Sequence, residues 1–301
     1  MHLNIKHVSK YKFSNSLTYG VQRLRLNPQN NKIQNINTWN INVEGGIKQF
    51  EYFDHHQNIC TFVTLNNDSR EIIVSVDGQI DTIENSGILG NDKPKTKLWM
   101  YNMYTPITKP GHYLKSFCKK WENTSYSELD ICHLIAEEIK KLIKFRKGST
   151  SAYTSAEESF KKKKGVCQDF AHIFISCLRF LGFSVRYVSG YLKIEGVNQQ
   201  DATHAWADVF IKDLGWVGFD VANGISPDER YVVLANGFDF FEVHEVMKEL
   251  IEKARKGEGP CAVEFETTRF YGHFEGDPQN YRAPDELKND RENNDCITIF
   301  K

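Results

Sequence analysis

The chain has 301 residues and a formal net charge of −1, so it is long enough for one large or two smaller hydrophobic cores, and its bulk charge gives no field that would draw it to nucleic acid or an acidic surface. Its composition, 40% hydrophobic and 26% charged, is that of a globular protein and excludes a disordered or fibrous chain. The seven cysteines are odd in number and widely spaced, with no C-x-x-C among them, which argues against a disulfide framework and against structural zinc.

The first residues, Met1 to Phe13, contain no apolar run of the secretory-signal kind, and no segment has the roughly 18 apolar residues of a membrane span. The expectation is a cytoplasmic protein without membrane contact. Residues 1–88 read as an antiparallel β-sandwich-like domain. Val21 to Leu26 and Trp39 to Val43 alternate, while Cys60 to Leu65 and Glu71 to Val76 are β-branched and apolar. Turn residues such as Asn27-Pro28, Gly45-Gly46 and Asp77-Gly78 separate them. His55, His56 and Cys60 sit at a strand–turn junction without a fourth partner, a poor metal set. Residues 89–110, punctuated by Gly90 and three prolines, read as a linker.

Helical spacing begins at Tyr113, Leu114, Phe117, Cys118 and Trp121. A second helix is expected behind a Ser125-x-x-Glu128 capping box, and a third behind Thr154-x-x-Glu157. Lys161 to Lys164 read as a solvated helix face. Phe170, Phe174, Cys177, Leu178 and Leu181 form the stripe of a fourth helix, with Gly182 as its stop. Strands are expected over 184–194, 203–211 and 216–220. Residues 244–301 read as an extension made of a helix around Val246 to Ala254, a polar stretch from Glu275 to Asp295 and a terminal strand from Cys296 to Phe300. The whole is an α+β chain.

Cys167 falls in the first turn of the fourth helix. A thiol attacks well only as thiolate, and the unpaired N–H groups and partial positive charge of a helix N-terminus favour that form. The same N–H groups can hold an oxyanion. Gly165 leaves the backbone free to turn before the helix and leaves room for substrate. His204 opens one strand and Asp220 closes the next. A hairpin centred on Lys212 places them directly opposite, whereas a two-residue Asp213-Leu214 turn places Asp220 opposite Ala207 on the other face. The residues alone leave that register open. Gln168 is a candidate oxyanion donor and Trp206 a candidate core or cleft residue. His172 reads as a structural hydrogen bonder.

Gly165-Val166-Cys167-Gln168-Asp169-Phe170-Ala171-His172 resembles the nucleophile segment of the bacterial transglutaminase-like proteins, which are provisionally described as cysteine proteases. Arg186 to Leu192, Thr203-His204-Ala205-Trp206 and Trp216-Val217-Gly218-Phe219-Asp220 resemble that family's following strand, histidine motif and aspartate motif. Phe53 to Asn58 is similar to the N-terminal region that accompanies the domain. Val221 stands where the family often has proline, and Gly237-Phe238-Asp239 where it often has Gly-Arg-Asp. The resemblance implies a papain-like/transglutaminase-like core over 111–243, preceded by the antiparallel β domain, with residues beyond about 243 unmatched. It implies Cys167 as nucleophile, His204 as general base and acid, and Asp220 as the residue that orients it. The expected function is thiol-dependent amide hydrolysis of a peptide, protein or small amide, with no metal and no organic cofactor. Transamidation or a non-catalytic binding module of the same fold are the alternatives. The sequence leaves the oligomeric state open.

Overall fold

The computed structural model describes residues 1–17, 20–91, 96–197 and 203–239. The chain divides into a unit Met1–His244 and a unit Glu245–Lys301. The expected C-terminal helix, polar stretch and terminal strand lie outside the described residues; the elements described all belong to the first unit.

Six strands come first: β1 (His2–Leu17), β2 (Val21–Asn27), β3 (Gln34–Glu44), β4 (Gly46–Phe53), β5 (Ile59–Leu65) and β6 (Ser69–Thr82). They form two antiparallel sheets, ordered β1-β6-β3 and β2-β5-β4. The alternation read in the sequence sends Leu24, Val63 and Leu65 from one sheet toward Ile41, Ile72, Val74 and Val76 from the other, the two-faced pattern of a sandwich core.

The next stretch holds β7 (Ile88–Gly90) and a 3-10 turn over Leu98–Asn102 that buries Tyr101. Then come α1 (His112–Cys118), α2 (Glu128–Leu142), β8 (Lys144–Phe145), α3 (Ala156–Lys162), β9 (Lys164–Gly165), α4 (Cys167–Phe180), β10 (Val185–Leu192), β11 (His204–Ile211), β12 (Gly215–Phe219) and β13 (Tyr231–Gly237). A five-stranded antiparallel sheet runs β13-β10-β11-β12-β7. The fold is therefore α+β, with a helical and β core preceded by antiparallel sheets.

Two helix starts differ from the sequence expectation. Ser127, not Ser125, caps α2 by accepting from Asp130 N. Glu128 is drawn off to accept from Lys212 N in the β11–β12 turn. The pattern around residue 155 offers two overlapping frames, and α3 uses Ser155 with Glu158. Glu157 instead accepts from Gly111 N, Tyr113 N and Leu114 N, satisfying the start of α1. The lysine run is not one helix face either: α3 ends at Lys162, Lys163 is left-handed with φ 53°, and Lys164 enters β9.

The fourth helix is buried on all sides from Asp169 to Arg179, more than its single apolar stripe suggests, because helices α1–α3 and the sheet enclose it. Arg179 follows this helix inward. Its guanidinium donates to Tyr101 O, Thr108 Oγ1, Val185 O and Phe238 O at 2.9–3.0 Å. Those bonds fasten the segment around residues 101–108 and the end of β13 to the base of α4, and so make the helix that carries Cys167 a rigid support.

Candidate active site

Cys167 is the first residue of α4. Asp169 N already donates to Val166 O at 2.9 Å, which leaves the amides of Cys167 and Gln168 as the ones at the helix start without an intrahelical acceptor. Asp169 completes the helix start: its Oδ2 accepts from Val166 N at 2.7 Å and from Thr150 Oγ1 at 2.7 Å. Burial raises the pKa of this carboxyl, and those hydrogen bonds oppose the rise. A Cβ on Gly165 would lie 2.5 Å from Asp169 Cβ and 2.8 Å from its Cγ. The space that this glycine keeps open is therefore filled by the Asp169 carboxylate and not by substrate. Gln168 Nε2 donates to Ala152 O at 3.2 Å, which ties the loop before α3 to the helix start.

The β11–β12 register is neither of the two that the sequence left open. Ala207 pairs with Phe219 and Ile211 with Gly215, closed by the three residues Lys212-Asp213-Leu214, with Asp213 at φ 69°. Continued one step, that register sets Asp220 opposite Trp206, and His204 lies on the same face two residues away. His204 Nε2 donates to Asp220 Oδ2 at 2.6 Å. Its other nitrogen, Nδ1, is left for the Cys167 thiol. Burial lowers the His204 pKa, but hydrogen bonds to Asp220 and Cys167 and the charges of both outweigh it, and the group is pushed up to about 9.

Asp220 is 1% exposed. Its Oδ2 also accepts from Tyr231 Oη and from Asn223 Nδ2, each at 2.7 Å, and its Oδ1 accepts from Asn223 N at 3.2 Å. Burial alone would raise its pKa, but the hydrogen bond and charge of His204 first, and then the Tyr231 and Asn223 donors, hold it below the ordinary aspartate value. A buried carboxylate with this many donors stays ionised and fixed in place. Trp206 is 2% exposed and packs under the pair, with its ring centroid 6.3 Å from His204 and 5.3 Å from Tyr231. It is a floor to the site. Gly190 pairs opposite His204, and a Cβ there would lie 1.9 Å from Val232 O and 2.8 Å from Trp206 Cη2. Only glycine fits over the tryptophan.

Asn223 and Tyr231 were not singled out from the sequence. Asp220-x-x-Asn223 is a turn signal that could have been read, whereas Tyr231 reaches the site only through long-range pairing of β13 with β10. His172 departs from its expected role. It is fully buried, neither ring nitrogen has a hydrogen-bond partner among the described residues, its ring centroid lies 5.0 Å from that of Tyr187, and burial pushes it down to about 4. It is a neutral core imidazole. His56 and Cys60 point to Tyr101 Oη and Asp54 Oδ2 respectively, and no cluster of three metal-ligating residues occurs among the described residues. No described helix is long and apolar enough to cross a membrane.

Residues 115–221 match the transglutaminase-like superfamily, and residues 3–81 match the bacterial transglutaminase-like N-terminal region. Through these two regions the chain belongs to the transglutaminase-like superfamily. An uncharacterized protein of Mycobacterium tuberculosis is 26% identical to it over 79% of this chain and 84% of its own. A crystal structure from Cytophaga hutchinsonii, of a protein provisionally named a cysteine protease, superposes on this transglutaminase-like chain with a TM-score of 0.63 at 19% identity, covering 79% of this chain and 84% of that one. That likeness shows the fold. Residues 229–301, mostly beyond the span that the sequence motifs relate to the transglutaminase-like proteins, match the dehydrogenase E1 component. The acetoin:2,6-dichlorophenolindophenol oxidoreductase alpha subunit of Cupriavidus necator is 53% identical over 68 residues, which are 23% of this chain and only 20% of that subunit. The transglutaminase-like match stops at residue 221, yet Asn223 and Tyr231, both donors to Asp220, lie beyond it.

Proposed function

We propose that this transglutaminase-like chain is a thiol-dependent enzyme that hydrolyses an amide bond through an acyl-enzyme, with Cys167 as nucleophile, His204 as proton carrier and Asp220 as the group that orients the imidazole. The observation that carries the reading is the Nε2 bond from His204 to Asp220, which fixes the tautomer and turns Nδ1 to the thiol. In this reading the thiol proton passes to His204, whose imidazole is pushed up to about 9, and the sulfur attacks as thiolate.

The thiolate attacks the amide carbon, and the oxyanion is held by the first amides of α4. As the C–N bond breaks, His204 gives its proton to the departing amine, leaving a thioester on Cys167. Water then adds to the thioester carbon while His204 takes its proton, and the carboxylic acid leaves as the thiolate is restored. Nothing in this sequence of steps calls for a metal or organic cofactor. The test is turnover of amide and peptide libraries by wild type and Cys167→Ala. Loss of turnover in the variant is expected, and equal turnover would refute the assigned nucleophile.

A further inference from the structure

The segment from Lys140 to Lys164 holds nine Lys and Arg residues and two Glu, although the whole chain has a net charge of −1. The fold concentrates these cations. Strands β8 and β9 pair in parallel, setting Lys144 beside Lys164 and Phe145 beside Gly165. Backbone bonds from Lys144 N to Lys163 O and from Arg146 N to Gly165 O lock the two runs together. Neighbouring strands lie about 4.8 Å apart, and like charges set side by side at that spacing repel. Glu137 pairs with Lys141, and the other carboxylates of this stretch are held by hydrogen bonds at helix starts. Glu157 caps α1, Glu158 completes the α3 cap, and Asp169 is buried at the start of α4. Lys144, Arg146, Lys162 and Lys163 are exposed, and none of the four is ion-paired with a described residue.

This patch adjoins the nucleophile. Lys164 precedes Cys167 by three residues, at most about 11 Å of backbone, and the loop that carries Arg146 is bound to the first turn of α4 through Thr150–Asp169 and Ala152–Gln168. An unrelieved cationic surface at the mouth of a site attracts anions and raises their local concentration. We propose that the substrate is an acidic peptide or protein segment, whose carboxylates lie along Lys144, Arg146 and Lys161–Lys164 while its scissile amide reaches Cys167. This rests on the acyl-transfer reading of Cys167, and it adds what that reading lacks: the chemical class of the substrate. The exposed ring of Phe145, between Lys144 and Arg146, offers an apolar contact within the same strip. Acidic polypeptide is favoured over nucleic acid because the patch is joined through a short stretch of backbone to a thiol that the acyl-transfer reading places for amide chemistry.

The probe is an oligoglutamate peptide on the order of ten residues, long enough at about 3.3 Å per residue to span the patch. The readout is protection of Cys167 from iodoacetamide in the full-length protein, followed by mass spectrometry. Oligoglutamate is expected to slow alkylation by at least about threefold at low salt, with the effect fading toward about 1 M salt, where the Debye length falls to about 3 Å. In the triple variant Lys144→Gln, Arg146→Gln, Lys162→Gln the ratio of alkylation rates without and with peptide should fall to about one. Unchanged alkylation on adding oligoglutamate, or protection that survives in the triple variant, would overturn the proposal. So would an oligouridylate of equal charge that protects better than the peptide, since the strip would then be a nucleic-acid surface. The thiolate reading fails by a different sign: Cys167 reacting no faster than Cys60 without any peptide. In that case anisotropy of fluorescein-labelled oligoglutamate still reports on the patch.

Discussion

Replacing Asp220 by asparagine keeps the volume beside His204 and removes one buried charge. In the folded protein, burial of His204 is opposed chiefly by its hydrogen bond to Asp220, then by that to Cys167, with the charges of both partners adding to the effect. Taking away the carboxylate's charge weakens the largest of the effects that oppose burial, so the imidazole should fall from about 9 by on the order of one pH unit, roughly 1.4 kcal/mol. Two assays read this directly. The His204 ring resonance can be titrated by NMR in wild type and variant, and the pH profile of Cys167 alkylation by iodoacetamide can be recorded for both. Just below about pH 9, where the wild-type imidazole is still charged and the variant's is not, the variant's thiol should be alkylated more slowly than the wild type's, and the two profiles should converge toward acid. Folding stability should follow the same logic. A histidine raised from 6.5 to about 9 contributes stability that is complete below its unfolded pKa and lost as pH rises through about 9. The variant should show a flatter stability curve across that window. A His204 that still titrates near 9 in Asp220→Asn would refute the geometry proposed for the site.

Tyr231→Phe removes one of the three donors to Asp220 Oδ2 and should cost about 1.5 kcal/mol at neutral pH. Asp220 lies below its ordinary value in the fold, so its stabilisation is present above the unfolded pKa and lost as pH falls through the folded one. Urea melts should therefore find the Tyr231→Phe penalty shrinking in acid, and a penalty constant with pH would assign the phenol a packing role alone. Gly165→Ala forces the Asp169 carboxylate off Val166 N and Thr150. It should destabilise by about 1–3 kcal/mol and slow Cys167 alkylation, measured by thermal melts and by mass spectrometry. Wild-type behaviour in both would mean that Asp169 does not set the helix start.

Strands were legible in the sequence wherever one face met a core and the other met solvent, as in β2 and β3, and α4 was legible from its apolar stripe and glycine stop. Side-chain competition was not. Glu157 could serve either of two helix starts, and only the packed positions of α1 and α3 decide that it serves α1. The positions of Cys167, His204 and Asp220 along the chain could be read, but whether His204 and Asp220 share a face depended on a turn of three residues, Lys212 to Leu214, that alternation cannot count. Asp169 was read as a charge near a helix dipole, whereas burial and hydrogen bonding make it the clasp of the helix start. Tyr231 belongs to a strand whose partner lies about 40 residues earlier, and no local pattern announces such a contact.

Strand β13 bears on how this chain can be divided. Similarity to the transglutaminase-like core ends at residue 221, and similarity to the dehydrogenase E1 component begins at residue 229. Residues 231–237 nonetheless hydrogen-bond along β10, supply Tyr231 to Asp220, and lead to the Phe238 carbonyl that Arg179 grips. Ancestry and folding thus draw their borders in different places. A protein cut where its relatives end would lose an edge of its sheet, one donor to its buried carboxylate and one acceptor of its buried guanidinium. A piece that keeps these contacts must extend past the transglutaminase-like match and take in β13, a strand that lies within the stretch similar to the dehydrogenase E1 component.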